Sequence, residues 1–576
     1  MTDLASTGGG PPSFDLTSQP WIPVLYRDGR QDELSLREVF AQASDLARIV
    51  GDVPTQEFAL LRLLLAVAHD ALDGPRDADQ WADWWEDEDC FAPVPSYLDA
   101  HRERFDLLHP VAPFFQVAGL RTSRDEVFSL NRIVADVPNG DPFFTARMPS
   151  VERLGFAEAA RWVVHAHAYD TSGIKTGVVG DSRAKNGKVY PLGVGWAGNL
   201  GGVFAEGDTL CETLLLNMVA RHTNRHRSDP DDRPAWRHEP CGPGAAPDRR
   251  PRGVRDLYTW QGRRLRLHFD SDGVYGVVLS YGDPLPMHNL HEREPMTVWR
   301  RSATQEKKLG EPQVYMPKGH NPERAVWRGL SSLLAERPTA SQTTEAAPEL
   351  GAGVLEWIAQ LATAEGYLPR GTRFRARIVG AVYGTQQSVI DEIVDDRLSM
   401  AVILLNRQDR RYAQQAVSAV ADADEAVAVL GDLAVDLARA SGAATEGPRS
   451  RAREQGYDAL DAPYRSWLQN LGDAADPEEH RTRWRAEAHR IIRRIGEQLI
   501  AGAGDAAWQG RTITTGKGEL WLNSAYAERS FRYRLARALG DPKSLNADTA
   551  VPGSPGDGPA DLGPETPAAE AERVTA

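Results

Sequence analysis

Apolar residues recur along this chain in two rhythms. Near the start, LTSQPWIPVLYRDGRQDELSL alternates apolar and polar positions around Asp28-Gly29, which predicts two short strands joined by a turn. From Leu36 to Trp85 the rhythm is helical, and Leu60, Leu61, Leu64, Leu65 and Val67 supply an apolar face. The most apolar run, FALLRLLLAVA from Phe58, is short and carries Arg62, so it predicts a buried helix rather than a membrane span. A further helix is expected over Ala159 to Tyr169. Arg264 to Ser280 reads as a β-hairpin around an SDG turn. TRFRARIVGAVYG, Thr372 to Gly384, has period two. Phe374, Ala376 and Ile378 point one way, and Arg373, Arg375 and Arg377 the other. That arginine face is either a solvated sheet face or a strip that meets an anion.

From about Leu398 the pattern turns helical and stays so. Helices are predicted over Tyr412 to Ala440, Tyr457 to Leu471 and Ala525 to Leu539, the last stopped by Gly540. Another opens at Asp476-Pro477-Glu478-Glu479. Asp476 caps it, Pro477 suits the first helical position, and Glu479 completes a capping box. Together these make a four-helix bundle. The expected fold class is α+β. A large mixed N-terminal domain with short strands and hairpins spans 14–395, and the C-terminal helical bundle spans 396–545. Residues 1–13, rich in Gly and Pro, and the acidic tail 546–576 read as disordered.

At 576 residues the chain exceeds one compact core. The N-terminus MTDLASTGGGPP has no basic start and no apolar stretch, so no signal peptide or membrane anchor is expected. Its three cysteines are far apart and odd in number, which argues for a reducing cytoplasm and against a disulfide framework or a cysteine zinc site. The net charge of −15 argues at first against nucleic acid, yet the tail alone supplies five of those charges. Steering depends on local patches, not on the total.

Enzyme signatures are lacking: GxxxxGK[ST], GxSxG and HExxH are all absent. His165 and His167 stand two apart, do not share a helical face, and read as packing or polar-face residues. No metal and no cofactor are expected. What stands out is Thr171 to Gly202, with nine glycines in 32 residues. Lys175, Arg183, Lys185 and Lys188 against Asp181 give it a local balance of +3. Bare backbone beside lysine can cradle phosphates or enter a narrow groove. A surface loop accounts for the same residues.

Four segments resemble one family in the right order: FDLTSQPWIPVLYRDG, HPVAPFFQVAGL from His109, GDTLCETLLLNMV from Gly207 and VYGTQQSVIDEIVDD from Val382. They are similar to the CasA family, the large subunit of the type I-E CRISPR surveillance complex Cascade. The resemblance covers roughly Phe14 to Leu545 and implies a non-catalytic subunit. Base pairing with CRISPR RNA reads the target, and the protein reads a short flanking motif, the PAM, in double-stranded DNA. The family reads it from the minor groove with a glycine loop, a lysine finger and a wedge that opens the duplex for R-loop formation. It then recruits a helicase-nuclease.

Carried over, the glycine loop corresponds to Ser172, Gly173, Ile174, Lys175, Thr176 and Gly177, although the family's loop is richer in glycine. The second glycine run, Gly195 to Gly202, is the alternative. The lysine finger corresponds to Lys318, with Arg300, Lys307 and Lys308 nearby. The wedge falls at Gly380, Ala381 and Val382, with Gln386 and Gln387 farther on. The loop that reaches the guide-bearing body corresponds to Asn139, Phe143, Phe144 and Arg147. Arg373, Arg375 and Arg377 would hold flanking phosphates and make binding fall steeply with salt. In the bundle, Arg481 and Arg485 are among the arginines that could meet the displaced strand or the complex's backbone, a solvated helix face being the competing reading for each. Partners implied are duplex DNA, CRISPR RNA, other Cascade subunits and the helicase-nuclease. Lys175→Ala or Gly177→Asp is expected to weaken DNA binding while folding survives. An assembly protein without DNA contact and an unrecognised hydrolase are the competing classes.

Overall fold

The computed structural model describes residues 12–135, 151–221, 223, 229–246, 248–335, 348–363, 365–516 and 518–540. Contacts group the chain into two compact units, Met1–Pro369 with Arg373–Leu398 and Arg370–Thr372 with Ser399–Ala576. Among the described residues, no helix is long and apolar enough to cross a membrane. The mixed α+β architecture matches the expected class, with small antiparallel sheets and helices in the first unit and mainly helices in the second.

The first unit is built around the helix Pro54–Ala71, whose residues from Thr55 to Asp70 are all buried. A polar residue at its centre must therefore find a partner. Arg62 donates two hydrogen bonds, 3.0 and 2.8 Å long, to the Glu294 carboxylate. The predicted strands form as Ile22–Tyr26 and Gln31–Leu34, joined in one sheet by Leu46–Ile49. The second predicted hairpin forms as Arg263–Asp270 and Gly273–Tyr281. The helix Phe156–Tyr169 buries both His165 and His167. Both are therefore packing residues, not polar-face ones, and burial lowers their pKa values to about 3 and about 4, holding them neutral.

The period-two segment is the strand Arg373–Tyr383, flanked in its sheet by Gly202–Glu206 and Ile390–Ala401. The last of these corrects the expected onset of helix near Leu398, where the chain is still extended.

The second unit holds the four predicted long helices, Arg411–Ser441, Glu446–Leu471, Pro477–Ala501 and Ser524–Leu539. A short helix, Gly504–Gln509, and a hairpin, Arg511–Thr515 with Gly518–Leu522, intervene before the last helix. Sequence reading placed no strands there, although Thr512, Thr514 and Trp521 mark an exposed alternating face. Arg481 and Arg485 converge on the buried Asp422 carboxylate at 2.7 and 3.1 Å, so both are tied within the bundle. Asp476 caps its helix through the Glu478 and Glu479 amides, as expected. Glu479 does not close a capping box; its carboxylate accepts from Arg483, one turn on. Asp476→Ala is expected to lower the stability of this unit by about 1 kcal/mol, read as a shift in its urea midpoint.

Candidate nucleic-acid interface

The glycine-rich region starts where the helix Phe156–Tyr169 ends. Asp170 is the last residue the helix controls, its amide donating to Ala166 O. Its side chain turns inward and is buried. One carboxylate oxygen accepts from Lys175 Nζ at 2.8 Å, and the other accepts from Arg263 Nε. Burial alone would raise this carboxyl's pKa, but Lys175 and Arg263 outweigh it and hold the group below the usual carboxylate range. The Arg263 guanidinium also donates to Asp170 O at 2.9 Å and Gly193 O at 3.0 Å. One buried arginine thus staples both ends of the loop.

Between those ends, Tyr281 grips Gly173 from both sides. Its hydroxyl donates to Gly173 O at 2.7 Å and accepts from Gly173 N–H at 3.1 Å. Lys175–Thr176 then pairs with Lys188–Val189 in a two-stranded hairpin. Arg132 donates to the Thr176 hydroxyl at 2.6 Å. Gly177 lies so close to the return strand that a Cβ there would sit 2.8 Å from the Gly187 carbonyl carbon. The loop is therefore a folded hairpin rather than a loose segment.

These contacts change two expectations. Lys175 is an internal ion-pair partner, 12% exposed at its side chain. Lys175→Ala would leave Asp170 short of a cation, and Gly177→Asp would collide with backbone, so neither variant leaves folding untouched. The second glycine run has its own reason for lacking side chains: a Cβ on Gly195 would lie 2.4 Å from Ala168 backbone atoms. Gly195 packs under the helix Phe156–Tyr169, whereas Gly198 packs on Tyr383, Gly201 on Lys318 O and Gly202 on Val379 O.

The wedge positions separate. Gly380, Ala381 and Val382 lie inside the strand Arg373–Tyr383, with Gly380 buried, because the alternating pattern runs on to Tyr383. The chain reverses only at Gly384–Val389, where Gly384 N–H donates to Val389 O. The tip residues Thr385 to Ser388 are exposed. Gln386 and Gln387 occupy the left-handed region, with φ of 56° and 55°. Side-chain-bearing residues pay roughly 1–2 kcal/mol each for that conformation, and such strain concentrates at sites of function. Ser172 N–H donates to Gln387 O at 2.8 Å, tying the glycine loop to this turn across 215 positions of sequence. Asp170 and Thr171 line one crevice together with Val389 and Ile390.

The arginine strip is corrected. Arg377 faces inward, 2% exposed, and meets Glu57 at 2.6 Å, Asp395 at 2.7 Å and Glu206 at 3.1 Å. A guanidinium already holding three carboxylates of its own chain is not a phosphate ligand. Arg375 pairs with Asp208 at 3.0 Å and with Gly207 O. Arg373 stands exposed where the strand begins. Lys318 donates to Ser332 at 2.7 Å and Glu349 at 2.5 Å and is half-buried. Lys307 and Lys308 are exposed on the last turn of the helix Ala303–Leu309. Asn139, Phe143, Phe144 and Arg147 lie outside the described residues. Among the described residues, no group of His, Cys, Asp and Glu is arranged to hold a metal ion.

Sequence reasoning missed Arg263, Tyr281 and Arg132. Arg263 did carry a signal: it falls in phase with Leu265 and Leu267, both buried. Its charge masked that phase.

The sequence model of the family described as CRISPR-associated protein Cse1 matches residues 15–495. The chain is similar to Thermobifida fusca Cse1, whose crystal structure it matches at 56% identity with a TM-score of 0.85, covering 92% of this chain and 98% of that one. A curated relative, the CasA/Cse1 protein of Thermus thermophilus, is 31% identical over 336 residues, or 56% of this chain. That match spans 60% of the relative's own length. A chain in a structure described as a CRISPR RNA-guided surveillance complex shares the fold at 18% identity, with a TM-score of 0.61 over 86% of this chain and 100% of that one. The family match and the whole-length likeness to a solved Cse1 agree: the chain belongs to the Cse1 (CasA) family.

Proposed function

We propose that this chain is the non-catalytic large subunit of a type I-E RNA-guided CRISPR complex. It reads the PAM in duplex DNA from the minor groove, helps open the duplex, and leads to recruitment of a helicase-nuclease. Its partners are the guide RNA and the other subunits of a cytoplasmic complex. Family membership supports the assembly, and one observation supports the DNA role. The bond from Ser172 to Gln387 joins a glycine loop and a strained glutamine turn into a single surface. The loop supplies backbone that can approach base edges closely. The turn supplies polar side chains held at an exposed tip, the form a wedge requires.

In this reading the wedge is Gln386 with Gln387, and the loop contact is made by Gly173, Ile174 and Thr176, while the buried Ser172 and Lys175 act as internal struts. In the same reading Arg373, exposed at the start of the strand, meets a backbone phosphate away from the wedge. Partial unstacking costs about a few kcal/mol per step, so loss of the wedge should be felt only where pairs must be broken. Replacing Gln386 and Gln387 together by glycine is expected to slow R-loop formation by the assembled complex about 10- to 100-fold on a paired, PAM-bearing duplex. The same variant should act normally on a target whose first pairs are mismatched. An equal defect on both substrates would count against a wedge.

A further inference from the structure

Beside Ile174 and Thr176, the outer face of the glycine hairpin carries Lys185, Lys188 and Tyr190, which PAM reading does not use. Lys175 pairs with Val189 and Thr176 with Lys188, and continuing that register sets Ile174 opposite Tyr190. Alternation then sorts the side chains. Lys175 and Val189 face inward, one onto Asp170 and the other into the core. Ile174, Thr176, Lys188 and Tyr190 take the outer face, where Ile174 is 57% and Tyr190 62% exposed.

A tight turn within the connection, joining Lys185 to Lys188, adds charge to this face. Asn186 and Gly187 are both left-handed, at φ 50° and 73°, as a two-residue hairpin turn of type I′ requires. Lys185 and Lys188 flank it and exchange both backbone hydrogen bonds, 2.8 and 3.1 Å long. Paired residues of an antiparallel ladder project from the same side, so the two ammonium stems leave together beside Tyr190. Both lysines are exposed, and neither forms an ion pair among the described residues. Like charges directly opposite are destabilising, and an exposed aromatic beside an exposed aliphatic leaves apolar surface in water. A phosphate between the lysines relieves the first cost, and a ring laid on Tyr190 relieves the second.

We infer that this face is a platform for one unpaired DNA nucleotide at the point where the duplex opens. Tyr190 stacks its base against Ile174, and Lys185 and Lys188 hold its phosphate. Lys188 and Tyr190 stand about 7 Å apart along the strand, within the span of one nucleotide. A paired duplex offers no free base face, so stacking selects single-stranded DNA and tolerates any base. The root of the hairpin is bonded to the Gln386–Gln387 turn through Ser172, so the platform lies next to the proposed wedge. The inference rests on reading that turn as the place of opening.

The test uses the assembled complex and a PAM-bearing target duplex with 4-thiothymidine in the displaced strand beside the PAM. Tyr190→Ala is expected to weaken target binding about 10- to 100-fold and to abolish a photocrosslink between the displaced strand and the hairpin. Tyr190→Phe, which keeps the ring, rescues both. The ratio of affinities for correct and altered PAMs stays unchanged in Tyr190→Ala. Binding by Tyr190→Ala at the wild-type level overturns the platform, and so does a crosslink to the guide RNA instead. Loss of the chain from the purified complex in Tyr190→Ala would make this face a protein interface and also overturn it. If the wild-type complex itself ignores the PAM, the PAM-reading function fails first, which separates the two outcomes.

Discussion

Asp170→Ala is expected to cost about 3–5 kcal/mol of folding stability, the largest effect of any single change near the proposed interface. The carboxylate is buried and is the shared partner of Lys175 and Arg263. Removing it leaves two cations facing one another out of water, and the penalty is their desolvation rather than the lost bonds alone. Both ends of the glycine hairpin loosen, because Arg263 loses the partner that positions it against Asp170 O and Gly193 O. Urea denaturation followed by tryptophan fluorescence measures the loss.

The double variant Asp170→Ala with Lys175→Met is expected to recover part of it, since one stranded charge is gone, and the cycle isolates the coupling. The pH dependence carries a definite sign. The folded pKa of Asp170 is depressed, so its contribution is complete above the ordinary carboxylate pKa of about 3.9 and is lost as pH falls through the folded value. The gap between wild type and Asp170→Ala should therefore be flat near neutral pH and narrow only in strong acid. A gap that closed near neutrality would refute the ion-pair account.

Arg377→Met is the second large change, expected to cost about 3 kcal/mol. Three carboxylates depend on this guanidinium. The figure sits at the low end because Arg48 also reaches Glu57 at 3.4 Å and Arg397 reaches Glu206 at 3.2 Å. Had Arg377 been a phosphate ligand, its loss would leave stability intact and reduce the salt dependence of DNA binding by about one phosphate contact. The two accounts therefore predict opposite pairs of readouts. Thermal unfolding of the isolated chain and a salt titration of the assembled complex distinguish them. Adding Asp395→Asn to Arg377→Met should restore part of the stability, because it removes one of the uncompensated acids.

Arg377 also shows where reading the sequence stops. Period two correctly made Arg373–Tyr383 a strand, and the same period placed Arg377 on an outer face. The strand is flanked on both sides in its sheet, and acids from three other segments line its polar face. Alternation reports which residues share a side, not what covers that side. The wedge shift has a related cause. The resemblance of VYGTQQSVIDEIVDD located the hairpin, but the reversal point depends on where pairing gives out, and Tyr383 still belongs to the strand.

Local chemistry determined much of this protein. Apolar spacing specified the four long helices, turn residues specified both N-terminal hairpins, and Asp476 specified a helix start. The order of four short segments specified the family. These are properties of residues close in sequence, and nearby interactions suffice to encode them. Only tertiary structure decided which charges are available. Lys175 and Arg377 are consumed by carboxylates, one of them 320 positions away in sequence, while Lys185 and Lys188 remain exposed. Ion pairing depends on distances in space, and the sequence holds every charge without recording which ones meet.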